Sequence, residues 1–358
     1  MRGPGAADRR AVRGPGAADG RGRRRPTVRT EPPGVGAGTY HEPVPLTFAT
    51  GPVRVRVPAT SANLGPGFDA LGLALGLHDD VAAEVTTAPG VRVSVTGEGA
   101  GELPADDRHL VAAAMRRTFD ALGGQPAGLS LECVNRIPQA RGLGSSSAAI
   151  VAGVLLARAL VADGVERLDD AAALRLAAEI EGHPDNVAPC LLGGFTIAWT
   201  EPSGARAVSL PVADAVRPTV FVPADRGLTA TARAALPLAV PHGDAARNAG
   251  RAALLVHALA AAPELLLPAT EDRLHQDYRA GGMPGTAALV GALRAAGVAA
   301  VVSGAGPTVL ALTGPPEGFD PGMGWQIWRL PVEVRGAWVA RGRLGHAERD
   351  PVAAGRKS

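Results

Sequence analysis

Pro138-Gln139-Ala140-Arg141-Gly142-Leu143-Gly144-Ser145-Ser146-Ser147-Ala148-Ala149 decides how this chain is read. Before it, Leu129-Ser130-Leu131-Glu132-Cys133-Val134 alternates as a strand does, and after it residues 148–157 are apolar on every face, which predicts a buried helix. Strand, glycine turn and helix start together make an anion cradle. Glycines let the backbone approach a phosphate, while unpaired N–H groups of the first helical turn and the helix dipole favour negative charge. The three serines add hydroxyl donors. A plain turn with a capping serine would use the same letters, but the fully apolar helix behind it gives the loop a rigid footing.

Known lysine-dependent phosphate loops are excluded, because the only lysine is Lys357. A Walker A loop needs a lysine after its second glycine, and a protein kinase needs one on a strand. The dinucleotide fingerprint fails as well, since Ser147 stands where its third glycine would be. A third type of phosphate loop is required.

Composition narrows the partner. The 358 residues suffice for about two domains at roughly 150 residues each, and with 46% hydrophobic but 3% aromatic residues the core must be aliphatic. A net charge of +2 from 36 basic and 34 acidic residues generates no field suited to nucleic acid or a membrane surface, which leaves a small molecule. Cys133 and Cys190 form no CxxC pattern, so neither a disulfide framework nor a thiolate metal site is expected, and a reducing cytoplasm fits. The longest apolar run ends at Arg158, far short of the roughly 20 residues that span a bilayer. Residues 1–47 carry Arg-Gly-Pro-Gly-Ala-Ala-Asp twice and then a basic run; they predict a disordered extension without an export signal, and without the interleaved aromatics of an RNA-binding arm.

Along the rest of the chain, alternation predicts strands at 53–57, 91–95, 129–134 and 219–222, and periodicity predicts helices over 109–122, 148–163, 169–181, 245–262 and 285–296. The Pro- and Ala-rich stretch 203–214 suggests a boundary near 200–215. Strand, Gly304-Ala305-Gly306-Pro307-Thr308 and strand close the pattern. The order predicts an α/β or α+β chain.

Residues 138–149 resemble the phosphate-binding motif of the GHMP kinases, a family of ATP-dependent small-molecule kinases. Val57-Pro58-Ala59-Thr60-Ser61-Ala62-Asn63-Leu64-Gly65-Pro66-Gly67-Phe68-Asp69 looks like the family's N-terminal motif, and Val302-Ser303-Gly304-Ala305-Gly306-Pro307-Thr308 resembles its C-terminal glycine loop. The likeness covers about residues 52–345 and implies an α+β fold of two domains, 48–205 with the nucleotide site and 206–345 with α/β character, then a tail over 346–358. Within the family, residues 61–69, Glu181-Gly182-His183-Pro184-Asp185-Asn186-Val187-Ala188-Pro189 and the following Leu192-Gly193-Gly194 are most similar to the branch that phosphorylates L-homoserine, a step towards threonine. Two departures stand out: Ala140 replaces a frequent glycine, and the short spacing before Asp185 leaves Glu181 or Glu179 for the metal role, with Glu181 favoured.

The resemblance implies ATP held by Pro138, Gln139, Ala140, Arg141, Gly142, Leu143, Gly144, Ser145, Ser146, Ser147 and Ala148, with Mg2+ on Ser146 and Glu181. It implies Asp185 and Asn186 as catalytic, Asp185 either orienting the acceptor hydroxyl or taking its proton. Acceptor binding falls to Asn63, Asp69, Thr229, Arg233, Arg279 and Gly304, the arginines suiting a carboxylate and Asn63 and Asp69 the ammonium and hydroxyl. His183 has no second ligand at metal spacing, so it reads as a structural histidine. A GHMP kinase for another small alcohol and a non-catalytic nucleotide-binding protein are the rivals. A homodimer is compatible with the sequence, which leaves oligomeric state and feedback open.

Overall fold

A computed structural model describes residues 46–227 and 229–345; nearly all of the extension read over 1–47, and the tail read over 346–358, lie outside the described residues. The strands are β1 (Val53–Ala62), β2 (Leu71–Thr86), β3 (Gly90–Gly97), β4 (Gly128–Asn135), β5 (Phe195–Glu201), β6 (Gly204–Leu210), β7 (Thr219–Pro223), β8 (Ala300–Val302), β9 (Val309–Ala311), β10 (Trp325–Arg329) and β11 (Trp338–Arg341). The helices are α1 (Leu110–Leu122), α2 (Ser145–Leu160), α3 (Gly164–Arg167), α4 (Asp170–Glu181), α5 (Val187–Leu192), α6 (Thr229–Ala234), α7 (His242–Ala260), α8 (Leu266–Ala269), α9 (Gln276–Arg279) and α10 (Pro284–Ala295).

Two sheets result. A seven-stranded sheet runs β11-β1-β2-β4-β3, with the β5–β6 hairpin joined to the start of β2, and a four-stranded sheet runs β10-β7-β9-β8. Among the described residues only β3 and β4 pair in parallel, and every other ladder is antiparallel. Helix α2 packs on β1 with α1, α4 and α5 around it, which buries all of its faces. This is the fully apolar helix that the sequence predicts, and it seats the phosphate loop on the core.

Helix periodicity located α1, α2, α4, α7 and α10 within a few residues. Strand alternation did less well. The 16-residue β2 was not anticipated, because Leu71-Gly72-Leu73-Ala74-Leu75-Gly76 and the His78-Asp79-Asp80 interruption neither alternate nor favour strand by composition. Its pairing with β1, β4 and β5 buries most of it, so tertiary contact overrides propensity. The first strand also continues through Pro58 to Ala62. Proline is tolerated there because β11 pairs only residues 53–56 of β1 and the β1–β2 register shifts between Pro58 and Ala59. The stretch 203–214, read as marking a domain boundary near 200–215, contains β6.

Gly153 sets how closely α1 and α2 approach. A Cβ there would meet the Ala114 Cβ and the Val111 carbonyl oxygen, each at 2.6 Å. Gly153→Ala is therefore expected to destabilise the protein by about 1–3 kcal/mol, read as a lower melting temperature; an unchanged value would refute the contact.

Candidate active site

Gly144 caps α2 in the left-handed conformation (φ 70°) and no side chain caps this helix. The first intrahelical bond is Ala148 N–H to Gly144 O at 2.9 Å, so the N–H groups of Ser145, Ser146 and Ser147 lack helical acceptors. The capping-serine alternative is thereby removed. Ser146 Oγ and Ser147 Oγ instead donate to the two carboxylate oxygens of Glu181, each at 2.8 Å. Ser147 is fully buried, and among the described residues its hydroxyl bonds Glu181 alone.

The rest of the loop is held by backbone. Ala140 has φ 54°, a conformation in which glycine would be unstrained, and its carbonyl accepts Gly227 N–H at 2.7 Å. Gly142 cannot be larger: a Cβ would lie 2.2 Å from the Ser303 carbonyl oxygen. The two glycine-rich loops therefore touch, and Ser303 Oγ donates to Gly142 O at 2.6 Å. Leu143 is buried and its carbonyl takes Thr60 N–H at 3.0 Å. Arg141 directs its guanidinium to the carbonyls of Pro223, Gln139 and Ala224 at 2.8–3.0 Å, so it braces the loop against the end of β7.

Glu181 ends α4, and Gly182 in the left-handed conformation turns the chain into the His183–Asn186 bend ahead of α5. His183 Nδ1 lies 2.7 Å from Asp185 Oδ1, and its Nε2 lies 4.0 Å from Glu181 Oε1. Chiefly through the bond to Asp185, His183 titrates above the usual histidine range. The histidine read as merely structural thus links both acidic groups. Asn186 Oδ1 accepts from Thr60 Oγ1 at 2.9 Å. Glu179, the alternative carboxylate, points away and pairs with Arg117 on the surface at 2.8 Å.

Across the cleft, Asn63, Leu64 and Asp69 all have positive φ (69°, 50° and 56°), backbone strain of a kind found at functional loops. Asn63 Nδ2 donates to Gly304 O at 2.9 Å, and Asp69 N–H to Asn63 Oδ1 at 2.9 Å. Arg233 makes a two-pronged pair with Asp69 at 2.8 and 2.9 Å. These two residues, expected to meet opposite ends of the acceptor, meet each other here. Arg279 is buried and donates to Ala232 O, His275 Nδ1 and Gly304 O, with no carboxylate at ion-pair distance among the described residues. Phe68 stacks on His275 with ring centroids 5.1 Å apart and lies 5.7 and 5.3 Å from the Arg233 and Arg279 guanidinium carbons. Thr229 opens α6 at the cleft edge.

One cleft brings together Asn63, Asp69, most of the phosphate loop, Glu181, Asp185, Asn186, Thr229, Arg233, Arg279 and Gly304. Gln139 and Ala148 instead line a second cavity of about 220 Å³ on the far side of the loop, which shares Ala140, Ser145 and Ser146 with the cleft. Sequence reasoning missed Thr60 and His275, although Thr60 lies three residues before Asn63 and His275 four before Arg279. Among the described residues no cluster of three His, Cys, Asp or Glu side chains could hold a metal, and no helix is long and apolar enough to cross a membrane. Both cysteines are buried and free, and burial pushes the Cys133 thiol up to about 12.

Asp79 also lines the second cavity. Burial raises its carboxyl to about 7, against opposing hydrogen bonds from Arg136 and Ile137 N–H and the Arg136 charge. Between pH 4 and 7 the folded state therefore holds a proton that the unfolded chain has lost, and stability falls as pH rises through that window. Asp79→Asn, whose amide oxygen still accepts both N–H groups, is expected to gain a few kcal/mol over the unsubstituted protein at pH 8 and almost nothing at pH 4. Denaturant melts at both pH values check this; equal gains would refute it.

Residues 109–194 match the GHMP kinases N terminal domain and residues 251–318 the GHMP kinases C terminal domain. Homoserine kinase of Streptomyces avermitilis is 60% identical over 296 residues, 82% of this chain and 97% of that protein. The homoserine kinase of Clavibacter michiganensis is 53% identical, covering 80% of this chain and 93% of its own. Among solved structures, homoserine kinase from Cytophaga hutchinsonii superposes with a TM-score of 0.70 at 28% identity, over 83% of this chain and all of that one.

Proposed function

The chain belongs to the homoserine kinases of the GHMP kinase family, and from that membership we propose how its residues divide the transfer of the ATP γ-phosphoryl group to the side-chain hydroxyl of L-homoserine. The observation that carries the reading is the uncapped start of α2. Free N–H groups at Ser145 and Ser146 lie where a largely aliphatic cavity and a polar cleft meet, as a triphosphate with a nucleoside at one end and an acceptor at the other requires.

Ser146 and Glu181 offer oxygen donors only, a set that suits magnesium completed by water and phosphate oxygens. When bound, the ion neutralises charge on the transferring phosphates. The backbone N–H groups hold the phosphates, and the loop contacts at Gly142 and Arg141 keep them fixed. Asp185, aimed by His183, orients the acceptor hydroxyl or accepts its proton, and Asn186 is steered by Thr60. Arg279, buried without a carboxylate partner, takes the acceptor carboxylate, while Asp69 and Asn63 receive the ammonium, with Arg233, Thr229 and Gly304 closing the site. Both arginines fall within 206–345, the second domain of the sequence reading, and lie beyond β6, the last strand of the β5–β6 hairpin. A cytoplasmic location belongs to the same reading.

A coupled ADP-release assay with magnesium and ATP tests it against L-homoserine, 4-hydroxybutyrate, mevalonate and galactose. Strong stimulation is expected from L-homoserine alone; its failure to stimulate would reject the acceptor. Arg279→Ala should raise KM for L-homoserine by roughly 10- to 100-fold, the loss expected for a charge-assisted hydrogen bond, whereas an unchanged KM would remove Arg279 from the acceptor site.

A further inference from the structure

His275 is fully buried and stands one helical turn ahead of Arg279, whose backbone N–H donates to the His275 carbonyl at 3.1 Å. Its two ring nitrogens have partners whose roles are fixed. Gly65 O, 2.9 Å from Nε2, can only accept, and the Arg279 guanidinium, with Nη1 3.1 Å from Nδ1, can only donate. One state alone satisfies both contacts: a neutral imidazole with its proton on Nε2. Burial holds the ring below the usual histidine range against the charge of Asp272, and the Arg279 charge adds to the lowering. The orientation is held as well. Phe68 stacks on the ring with centroids 5.1 Å apart, and the Asp272 carboxylate accepts from the N–H groups of Leu274, His275 and Gln276 at 2.7–3.1 Å.

An arginine side chain carries large rotamer entropy, and a substrate that must order it binds less tightly than one that meets it already in place. Arg279 is in place here. Its Nε donates to Ala232 O at 3.0 Å and its Nη1 to His275 Nδ1, with a longer contact of 3.4 Å to Gly304 O. Nη2 makes no hydrogen bond among the described residues, which leaves it for the cleft that Arg279 lines together with Asp69, Asp185 and Asn186. The other side of the imidazole is anchored equally closely. Gly65 has φ 82°, and a Cβ there would lie 2.8 Å from the Thr270 carbonyl oxygen, so this turn approaches the chain ahead of α9 as only glycine allows. His275 thus ties the loop that carries Asn63 and Asp69 to the arginine that faces them.

We propose that His275 is a positioning residue for the acceptor carboxylate: its Nδ1 holds the Arg279 guanidinium so that Nη2 faces the acceptor, and its Nε2–H anchors the ring to the Gly65 turn. The proposal rests on Arg279 as the group that takes the acceptor carboxylate. A histidine that only packs against Phe68 would serve equally well with either of its two hydrogen bonds removed.

Two substitutions separate the ring's bonds. His275→Asn keeps an acceptor where Nδ1 stands and loses the donor to Gly65 O; His275→Gln keeps a donor where Nε2 stands and loses the acceptor for Arg279. In steady-state phosphorylation of L-homoserine, His275→Gln should raise KM for L-homoserine about tenfold with kcat within about threefold, the share of one charge-assisted hydrogen bond. His275→Asn should restore most of that loss, and KM for ATP should not change in either variant. On the Arg279→Ala background His275→Gln should add less than about twofold, because it acts through that arginine. Equal KM values for the Asn and Gln variants overturn the proposal, and so does a full tenfold addition on the Arg279→Ala background. Melting curves establish that both variants fold. Should either fail to, NMR of the histidine nitrogens in the unsubstituted enzyme decides, with His275 identified by cross-relaxation with the Phe68 ring: Nε2 protonated and Nδ1 bare at neutral pH is expected, and a proton on Nδ1 overturns the proposal. If Arg279→Ala leaves KM unchanged, the acceptor reading falls and the role of His275 with it; if Arg279→Ala raises KM and His275→Gln does not, the positioning role alone falls.

Discussion

Asp185→Asn is expected to lower kcat by about 100- to 10,000-fold, the range that a positioned acid–base group contributes, while the melting temperature stays close to that of the unsubstituted protein. Asp185 is 2% exposed and among the described residues its carboxylate is hydrogen-bonded only to His183, so the near-isosteric amide fills the same space. Its loss also removes the main cause of the raised His183 pKa, and His183 should titrate lower in the variant. The pH profile then separates the two roles left to Asp185. A proton acceptor gives an acidic limb in kcat that the variant lacks; an orienting group gives a uniformly depressed profile of the same shape. Retention of more than a tenth of kcat at every pH would take Asp185 out of the chemistry.

Glu181→Ala should lower kcat by about 100-fold or more, the rate equivalent of the several kcal/mol that a bound metal supplies to charge development, with partial recovery as magnesium is raised. Glu179→Ala should stay near full activity. Both carboxylates lie in the last turn of α4, two residues apart and therefore on different faces of the helix. Glu181 faces the serines of the phosphate loop; Glu179 faces Arg117 in solvent, where an ion pair contributes little. The reverse result, with Glu179 essential and Glu181 dispensable, would relocate the metal site.

Much of the site was legible before folding was considered. The glycine turn, the apolar helix behind it and the lack of lysine pointed to an anion loop of a third type, each being a local requirement written within a dozen residues, and the resemblance of that loop and of the motif around Asn63 to the GHMP kinases named the chemistry. Other features were invisible for an equally physical reason. Nothing in His275 or Thr60 marks them, since their roles lie in what they touch: Gly65 O and Arg279 for His275, Asn186 for Thr60. Asp69 and Arg233, 164 residues apart, were assigned to opposite ends of an acceptor, whereas the folded chain pairs them.

The sequence by itself determined the glycine turn and the long helices, since backbone conformation at glycine and the 3.6-residue period of a buried helix are set by neighbouring residues, and its motifs carried the resemblance to the GHMP kinases that named the family. Only the tertiary structure decided that Glu181 rather than Glu179 faces the serines, that β2 is a central strand, and that the imidazole of His275 is enclosed between Gly65 O and Arg279. Those outcomes depend on which side chains meet across the fold and on which are removed from water, and local propensity does not encode either.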